Sequence, residues 1–114
     1  MGVSYIPYCA ATSFVWLGDP TNARSWATQA IEQTGGSPEP TVGQATARID
    51  LAIALAQDSE LEQASITGIE ALDICSRRLT LTATRRIEEL LAVLRPFTEP
   101  CVVELRERWR WISN

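Results

Sequence analysis

The sequence predicts an all-α fold of about six helices, arranged as antiparallel hairpins. Three observations predict it: small residues recur at helical spacing in two corresponding stretches, apolar residues near the C-terminus recur every three or four positions, and glycines and prolines separate these stretches. We find no strand pattern. The 114 residues have room for one domain, which we expect to span residues 1–114.

The clearest pattern is an internal repeat, in which Ala64 follows Ala23 by 41 residues. The small residues of the two copies are Ala11, Ala23, Ala27 and Ala30 in the first and Ala52, Ala64, Gly68 and Ala71 in the second. In each copy the last three share one helix face, and small side chains there let a neighbouring helix approach closely. We therefore expect two helical hairpins, at about residues 4–37 and 45–78, with corresponding turns at residues 17–19 and 58–60.

Capping and breaking residues predict where the helices begin and end. Asp19 is typical of an N-cap, with Pro20 at the first helical position, and Pro96 stops the fifth helix. Ser59 and Glu62 have the spacing of a capping box that would start the fourth helix. We expect helices at about residues 5–17, 19–33, 41–57, 59–75, 82–95 and 98 onwards.

The small residues around a Leu-Gly-Asp turn resemble those of the tetratricopeptide repeat. The resemblance covers about residues 4–78 as two units. The last two helices, at about residues 79–114, lack the small-residue signature, so we expect them to form a capping hairpin over the open end of the array. The resemblance thus implies a fragment of an α-solenoid.

A second resemblance concerns residues 77–112 and the use of Arg alone for all ten basic residues of the chain. This tail resembles the C-terminal region of actinobacterial regulators, in which a helix-turn-helix DNA-binding domain precedes degenerate tetratricopeptide repeats. The resemblance implies the sensing or oligomerisation part of a transcriptional regulator. The alternatives are a small free-standing adaptor and a helical protein that senses a small molecule.

The composition excludes several kinds of enzyme. Without His or Lys, the chain cannot form a Ser-His-Asp or Cys-His arrangement, a phosphate-binding lysine, a Schiff base or a histidine metal site. Only carboxylate chemistry remains, and we interpret Asp50, Asp58, Glu88 and Glu89 as solvated helix positions. We therefore expect no catalytic residue, no cofactor and no metal.

Charge and cysteine content favour a cytoplasmic protein. The net charge of −4 gives nucleic-acid binding little support, and no apolar run is long enough to cross a membrane. The N-terminus has no basic flank of the kind that precedes a secretory signal. Cys9, Cys75 and Cys101 fit neither a disulfide framework nor a zinc site, so we interpret them as small buried side chains, with one reactive thiol as the alternative.

The tetratricopeptide resemblance implies a concave binding surface for a protein or peptide, lined by the first helix of each unit. The residues in this register are Tyr5, Tyr8, Thr12, Trp16, Ile49, Ile53 and Gln57. Tyr and Trp commonly anchor interfaces, although Tyr8 and Trp16 have the alternative of filling the core. None of these residues is basic, so we expect no clamp for acidic peptide tails. A deep cavity lined by Tyr8, Trp16 and Ile53 would instead favour a small ligand.

Two further contacts are expected at the ends of the chain. Arg106, Arg110 and Trp111 form a basic aromatic stripe that would grip an acidic partner or nucleic acid. In the alternative interpretation, which we favour, the arginines of this helix pair with neighbouring glutamates while Trp109 covers the core. The first helix has no unit before it, so we also expect a homodimer through its apolar outer face.

Overall fold

The structure is a computed structural model that describes residues 12–34, 42–76 and 80–113. These residues form α1 (residues 12–16), α2 (Pro20–Thr34), α3 (Val42–Gln57), α4 (Leu61–Cys75), α5 (Leu81–Leu94) and α6 (Pro100–Ser113). The described residues contain no strand. The all-α prediction is therefore confirmed. The starts predicted for α2 to α6 and the ends predicted for α2 to α5 differ from the observed ones by at most two residues.

Helix α3 lies at the centre of the arrangement, where it packs against α2, α4 and α5, while α6 packs against α4. A three-residue turn joins α3 to α4, so these two helices form an antiparallel hairpin. The hairpin of α5 and α6 then stacks on it, with α5 on α3 and α6 on α4. The largest side chains of the shared core are Ile49, Ile53, Leu72, Ile87, Leu90, Leu94 and Leu105.

The turn between α1 and α2 closes one helix and starts the next. Gly18 is left-handed, with a φ of 72°. Its N–H donates to the carbonyl of Val15 (3.1 Å) and the N–H of Asp19 donates to that of Phe14 (2.9 Å), which is the Schellman pattern. The Asp19 carboxylate then accepts from the backbone N–H of Asn22 (3.2 Å), so the predicted N-cap is confirmed.

The turn between α3 and α4 repeats this pattern 41 residues later, with Ser59 in the place of Gly18. Ser59 has a φ of 63°, its N–H donates to Ala56 (3.0 Å), and the N–H of Glu60 donates to Leu55 (2.9 Å). The predicted capping box is wrong, because Ser59 terminates α3. Glu60 is the N-cap residue of α4, and its side chain makes no capping hydrogen bond.

The small residues of the repeat lie where helices meet. Its alanines among the described residues are all buried: Ala23, Ala27, Ala30, Ala52, Ala64 and Ala71. At Gly68 an added Cβ atom would lie 3.1 Å from methyl carbons of both Leu90 and Leu105. The predicted close approach is therefore present, and the absence of a side chain at Gly68 lets α5 and α6 pack on α4.

Two further predictions concern the cysteines and the membrane. Cys75 is buried, Cys101 is half-buried and both are free thiols, while Cys9 lies outside the described residues. None of the described helices combines the length and the apolar character that spanning a bilayer requires.

Candidate functional site

A buried ion pair connects three helices on one side of the molecule. Asp50 of α3, with 1% of its surface exposed, pairs with the guanidinium of Arg86 of α5, which is also buried. The hydroxyl of Thr12 in α1 donates to Oδ2 of Asp50 (2.8 Å). The interpretation of Asp50 as a solvated position is therefore wrong. Its carboxylate is buried because α5 packs on α3 and supplies the opposite charge.

The same guanidinium also organises the surface above the pair. Arg86 forms a second ion pair with Glu89, and its Cζ lies 6.0 Å from the centre of a Trp16 ring. The indole Nε1 of Trp16 donates to Oε2 of Glu89 (3.4 Å). Burial lowers the pKa of Arg86, and the neighbouring carboxylate of Glu89 opposes this shift. An arginine nevertheless remains protonated at physiological pH. A permanent cation thus lies beneath the indole.

Trp16 is exposed although it is held in place. Of its surface, 70% is open to solvent, and the adjacent Leu17 is similarly exposed. The alternative in which Trp16 fills the core is therefore wrong. We define the Trp16 face as Thr12, Trp16, Asp50, Arg86 and Glu89.

One other residue of the predicted binding surface, Gln57, can be placed relative to this face. Gln57 is exposed at the end of α3, where its Nε2 donates to the carbonyl of Val15 (3.4 Å). This bond ties the end of α3 to α1 beside Trp16. The structure thus brings Thr12, Trp16 and Gln57 to one side of the molecule.

The remaining residues of the predicted surface lie elsewhere. Ile49 and Ile53 belong to the core, with 0% and 1% of their surfaces exposed, so they offer no area to a partner. Helices α2, α4 and α5 all pack against α3, and this packing buries the two isoleucines that the repeat register placed on a surface. Tyr5 and Tyr8 lie outside the described residues.

The charged members of the Trp16 face were not predicted from the sequence. Asp50 and Arg86 are far apart in the chain and belong to different hairpins, so no spacing rule relates them. The one available signal was local. Asp50 follows Ile49 and precedes an almost continuous apolar run, a place where a charge requires a partner.

The predicted stripe on α6 is divided between two sides of the helix. Nη2 of Arg106 donates to the carbonyls of Leu94 (2.6 Å) and Arg95 (3.0 Å), while Arg110 lines a groove next to α5. Trp111, with 84% of its surface exposed, instead lines a smaller depression beside α4. These three residues therefore do not form one contact surface.

The favoured alternative for α6 is confirmed for two residues. Arg108 pairs with Glu104 (3.5 Å), and Trp109 is half-buried against the core. Arg106 differs, because it binds backbone carbonyls at the end of α5 instead of a glutamate.

The described residues contain no group of three or more His, Cys, Asp or Glu side chains that could hold a metal ion. Comparisons with protein-family models, with curated proteins and with solved structures found no match. A functional conclusion therefore depends on the geometry of the Trp16 face and on the sequence patterns.

Proposed function

We propose that this chain is a non-catalytic module of tetratricopeptide type that binds a protein or peptide partner through the Trp16 face. The supporting observation is the indole of Trp16, which is 70% exposed and yet held by a hydrogen bond to Glu89 and by the cation of Arg86. Large exposed aromatic side chains beside arginine are typical of the residues that dominate interface energies.

Both the orientation and the exposure of Trp16 favour binding. An indole that is already ordered loses little side-chain entropy when a partner covers it. Covering the exposed part of a Trp side chain removes on the order of 140 Å² of mostly apolar area from water, which corresponds to roughly 3 kcal/mol. A contribution of that size is typical of an interface hot spot.

A peptide or protein fits this face better than a small molecule. Trp16 is open to solvent, whereas Ile53 is buried in the core, so the two do not line a common cavity that a small ligand could enter. An enzymatic role has little support on this face, because the carboxylate of Asp50 is occupied by Arg86 and Thr12. An occupied carboxylate is a poor general base.

The wider role in our proposal is the sensing or oligomerisation part of a cytoplasmic transcriptional regulator, and it rests on the resemblance of the C-terminal tail. The alternative is a free-standing adaptor. In either role, we propose that a second copy of the chain also binds the Trp16 face and so forms a homodimer. Trp16 and Leu17 favour this contact, because they form an exposed apolar pair at the end of α1. The segment itself binds neither nucleic acid nor a membrane in this proposal.

Selection of peptides from a random display library on the immobilised protein tests the proposal. We expect the selected peptides to lose about thirtyfold in affinity, or about 2 kcal/mol, on Trp16→Ala, measured by fluorescence anisotropy. Trp111→Ala is the matched control, because it removes another exposed indole from a different surface. Equal affinity for Trp16→Ala and the unmodified protein would contradict the proposal.

Self-association is measured separately by light scattering at high micromolar concentration. A dimer mass that becomes a monomer mass on Trp16→Ala, but not on Trp111→Ala, would identify a second copy as the partner. A dimer that persists in Trp16→Ala would exclude this face as the dimer contact.

A further inference from the structure

A groove of about 570 Å³ lies between α5 and α6, and none of its lining residues belongs to the Trp16 face. One wall is formed by Glu88, Leu91 and Ala92 of α5 and by Arg95, its C-cap residue. The other wall has the same spacing in α6, with Arg106, Trp109, Arg110 and Ser113. Its volume falls within the range of sites that hold small ligands or short peptide segments.

The packing of the helices explains why the groove is open. Helix α5 packs on α3 and α6 packs on α4, so each member of this hairpin is positioned by a different helix. Leu90 of α5 and Leu105 of α6 both lie over Gly68 of α4. The groove is lined by other residues of the last hairpin, with the half-buried Leu91 and Trp109 along its apolar part.

The charge of the groove is opposite to that of the chain. Three arginines and one glutamate line it, whereas the whole chain has a net charge of −4. Arg95 and Arg110 are exposed, so their guanidinium groups are accessible to a ligand. A local excess of positive charge beside apolar area favours a ligand that carries both carboxylates and an apolar group.

Arg106 gives the groove a fixed donor. Its Nη2 is bound to the carbonyls of Leu94 and Arg95, which orients the guanidinium at the C-terminal end of α5. Those two bonds do not use Nε or Nη1. An arginine oriented in this way loses less side-chain entropy when it binds a carboxylate than a freely moving one.

We infer that the groove between α5 and α6 binds an acidic segment of a partner protein, in which carboxylates contact Arg95, Arg106 and Arg110 and an adjacent apolar side chain contacts Trp109. This is a second contact surface, beyond the proposed role of the Trp16 face. A peptide is favoured over nucleic acid because the acidic chain as a whole repels a polyanion, whereas a short segment meets only the local positive charge.

The test uses a rhodamine-labelled peptide of alternating Asp and Leu and a control peptide with Asn in place of Asp, titrated with the full chain. We expect the acidic peptide to bind at least about tenfold more tightly, since each hydrogen bond to a charged group contributes about that factor. Raising the salt concentration should reduce the difference.

Arg95→Gln together with Arg110→Gln should reduce the affinity for the acidic peptide by at least about tenfold. Arg85→Gln is the control, because Arg85 is an exposed arginine of α5 that does not line the groove. Circular dichroism verifies that each variant is folded. Trp16→Ala should leave this affinity unchanged, which separates this inference from the proposed function.

Three results would overturn the inference. The first is equal affinity for the Asp and Asn peptides, and the second is an unchanged affinity in the double variant. The third is tighter binding of a single-stranded oligonucleotide that depends on the same arginines, which would assign the groove to nucleic acid.

Discussion

Replacement of Arg86 by Met should destabilise the protein strongly, because it removes the opposite charge from the buried carboxylate of Asp50 and leaves it the neutral hydroxyl of Thr12. Removing one member of a buried ion pair typically costs about 3 to 5 kcal/mol. A chain of 114 residues has a total stability of roughly 6 to 17 kcal/mol, so the variant should retain only part of it. At about 4 °C per kcal/mol, the melting temperature should fall by roughly 12 to 20 °C.

The reverse replacement should cost less. Asp50→Leu leaves Arg86 with Glu89 as a counter-ion, so the remaining charge is still paired. The double variant Asp50→Leu/Arg86→Met removes both charges and should recover to within about 1 kcal/mol of the unmodified protein, because apolar replacements of whole buried pairs are often neutral. The two substitutions should therefore show a coupling energy of at least about 2 kcal/mol.

Urea denaturation followed by circular dichroism measures these free energies for all four proteins of the cycle. Additive losses in the double variant would refute the reasoning, because they would show that the stability effects of the two residues are independent. An unchanged stability in Arg86→Met would refute it as well, since Asp50 would then not depend on its partner.

Three other predictions concern the turns, the contact of α4 with the last hairpin, and the thiols. Ser59→Gly should stabilise the protein by about 1 kcal/mol, and Gly18→Ser should destabilise it by a similar amount, because both positions have a positive φ that favours glycine. The midpoints of urea denaturation measure both effects, and a stabilising Gly18→Ser would contradict the reasoning. Gly68→Val should lower the free energy of unfolding by about 2 kcal/mol or more, because even a Cβ atom would lie 3.1 Å from methyl carbons of two leucines. An unchanged stability would show that α5 and α6 can move away from α4. Burial raises the pKa of the Cys75 thiol, so iodoacetamide at pH 8 should alkylate the half-buried Cys101 faster than Cys75, as mapped by mass spectrometry. Equal rates for these two thiols in the folded protein would contradict this.

The pKa of Cys75 also sets a direction for the pH dependence of stability. Because the folded pKa is raised, the unfolded chain loses the thiol proton at a lower pH than the folded protein does. This contribution is therefore fully present below the unfolded pKa and is lost as the pH rises through the folded pKa. Cys75→Ala should remove that alkaline loss, which urea denaturation at pH 8 and pH 10 would measure.

Helix positions could be predicted because their signals are local. The Asp19-Pro20 pair marks the start of α2 and Pro96 lies just beyond α5, and both signals require only neighbouring residues. The error at Ser59 came from the same kind of reasoning, since a serine three residues before a glutamate fits an N-cap. The internal repeat predicts the turn better than the capping-box spacing does. Its offset of 41 residues aligns Ser59 with Gly18, and glycine at that position indicates a left-handed residue that ends a helix.

The Trp16 face could be predicted only in part. Thr12 and Trp16 followed from the register of the first helix, but Asp50 and Arg86 meet through the stacking of one hairpin on another. A sequence pattern indicates which face of a helix is apolar, and it does not indicate which residue of a distant helix lies opposite. The interpretation of Ile53 as a surface residue was wrong for the same reason, because α2, α4 and α5 all pack against α3 and Ile53 is buried.

The central claim, that Trp16 contacts a partner, is tested most directly by nuclear magnetic resonance of the four indole N–H groups. The signals are assigned with single Trp→Phe variants, and a peptide selected on the protein is then titrated into the labelled chain. We predict that the Trp16 signal moves with the largest amplitude and that the signal of the half-buried Trp26 does not move. A stationary Trp16 signal at saturating peptide, with movement confined to other indoles, would contradict the account.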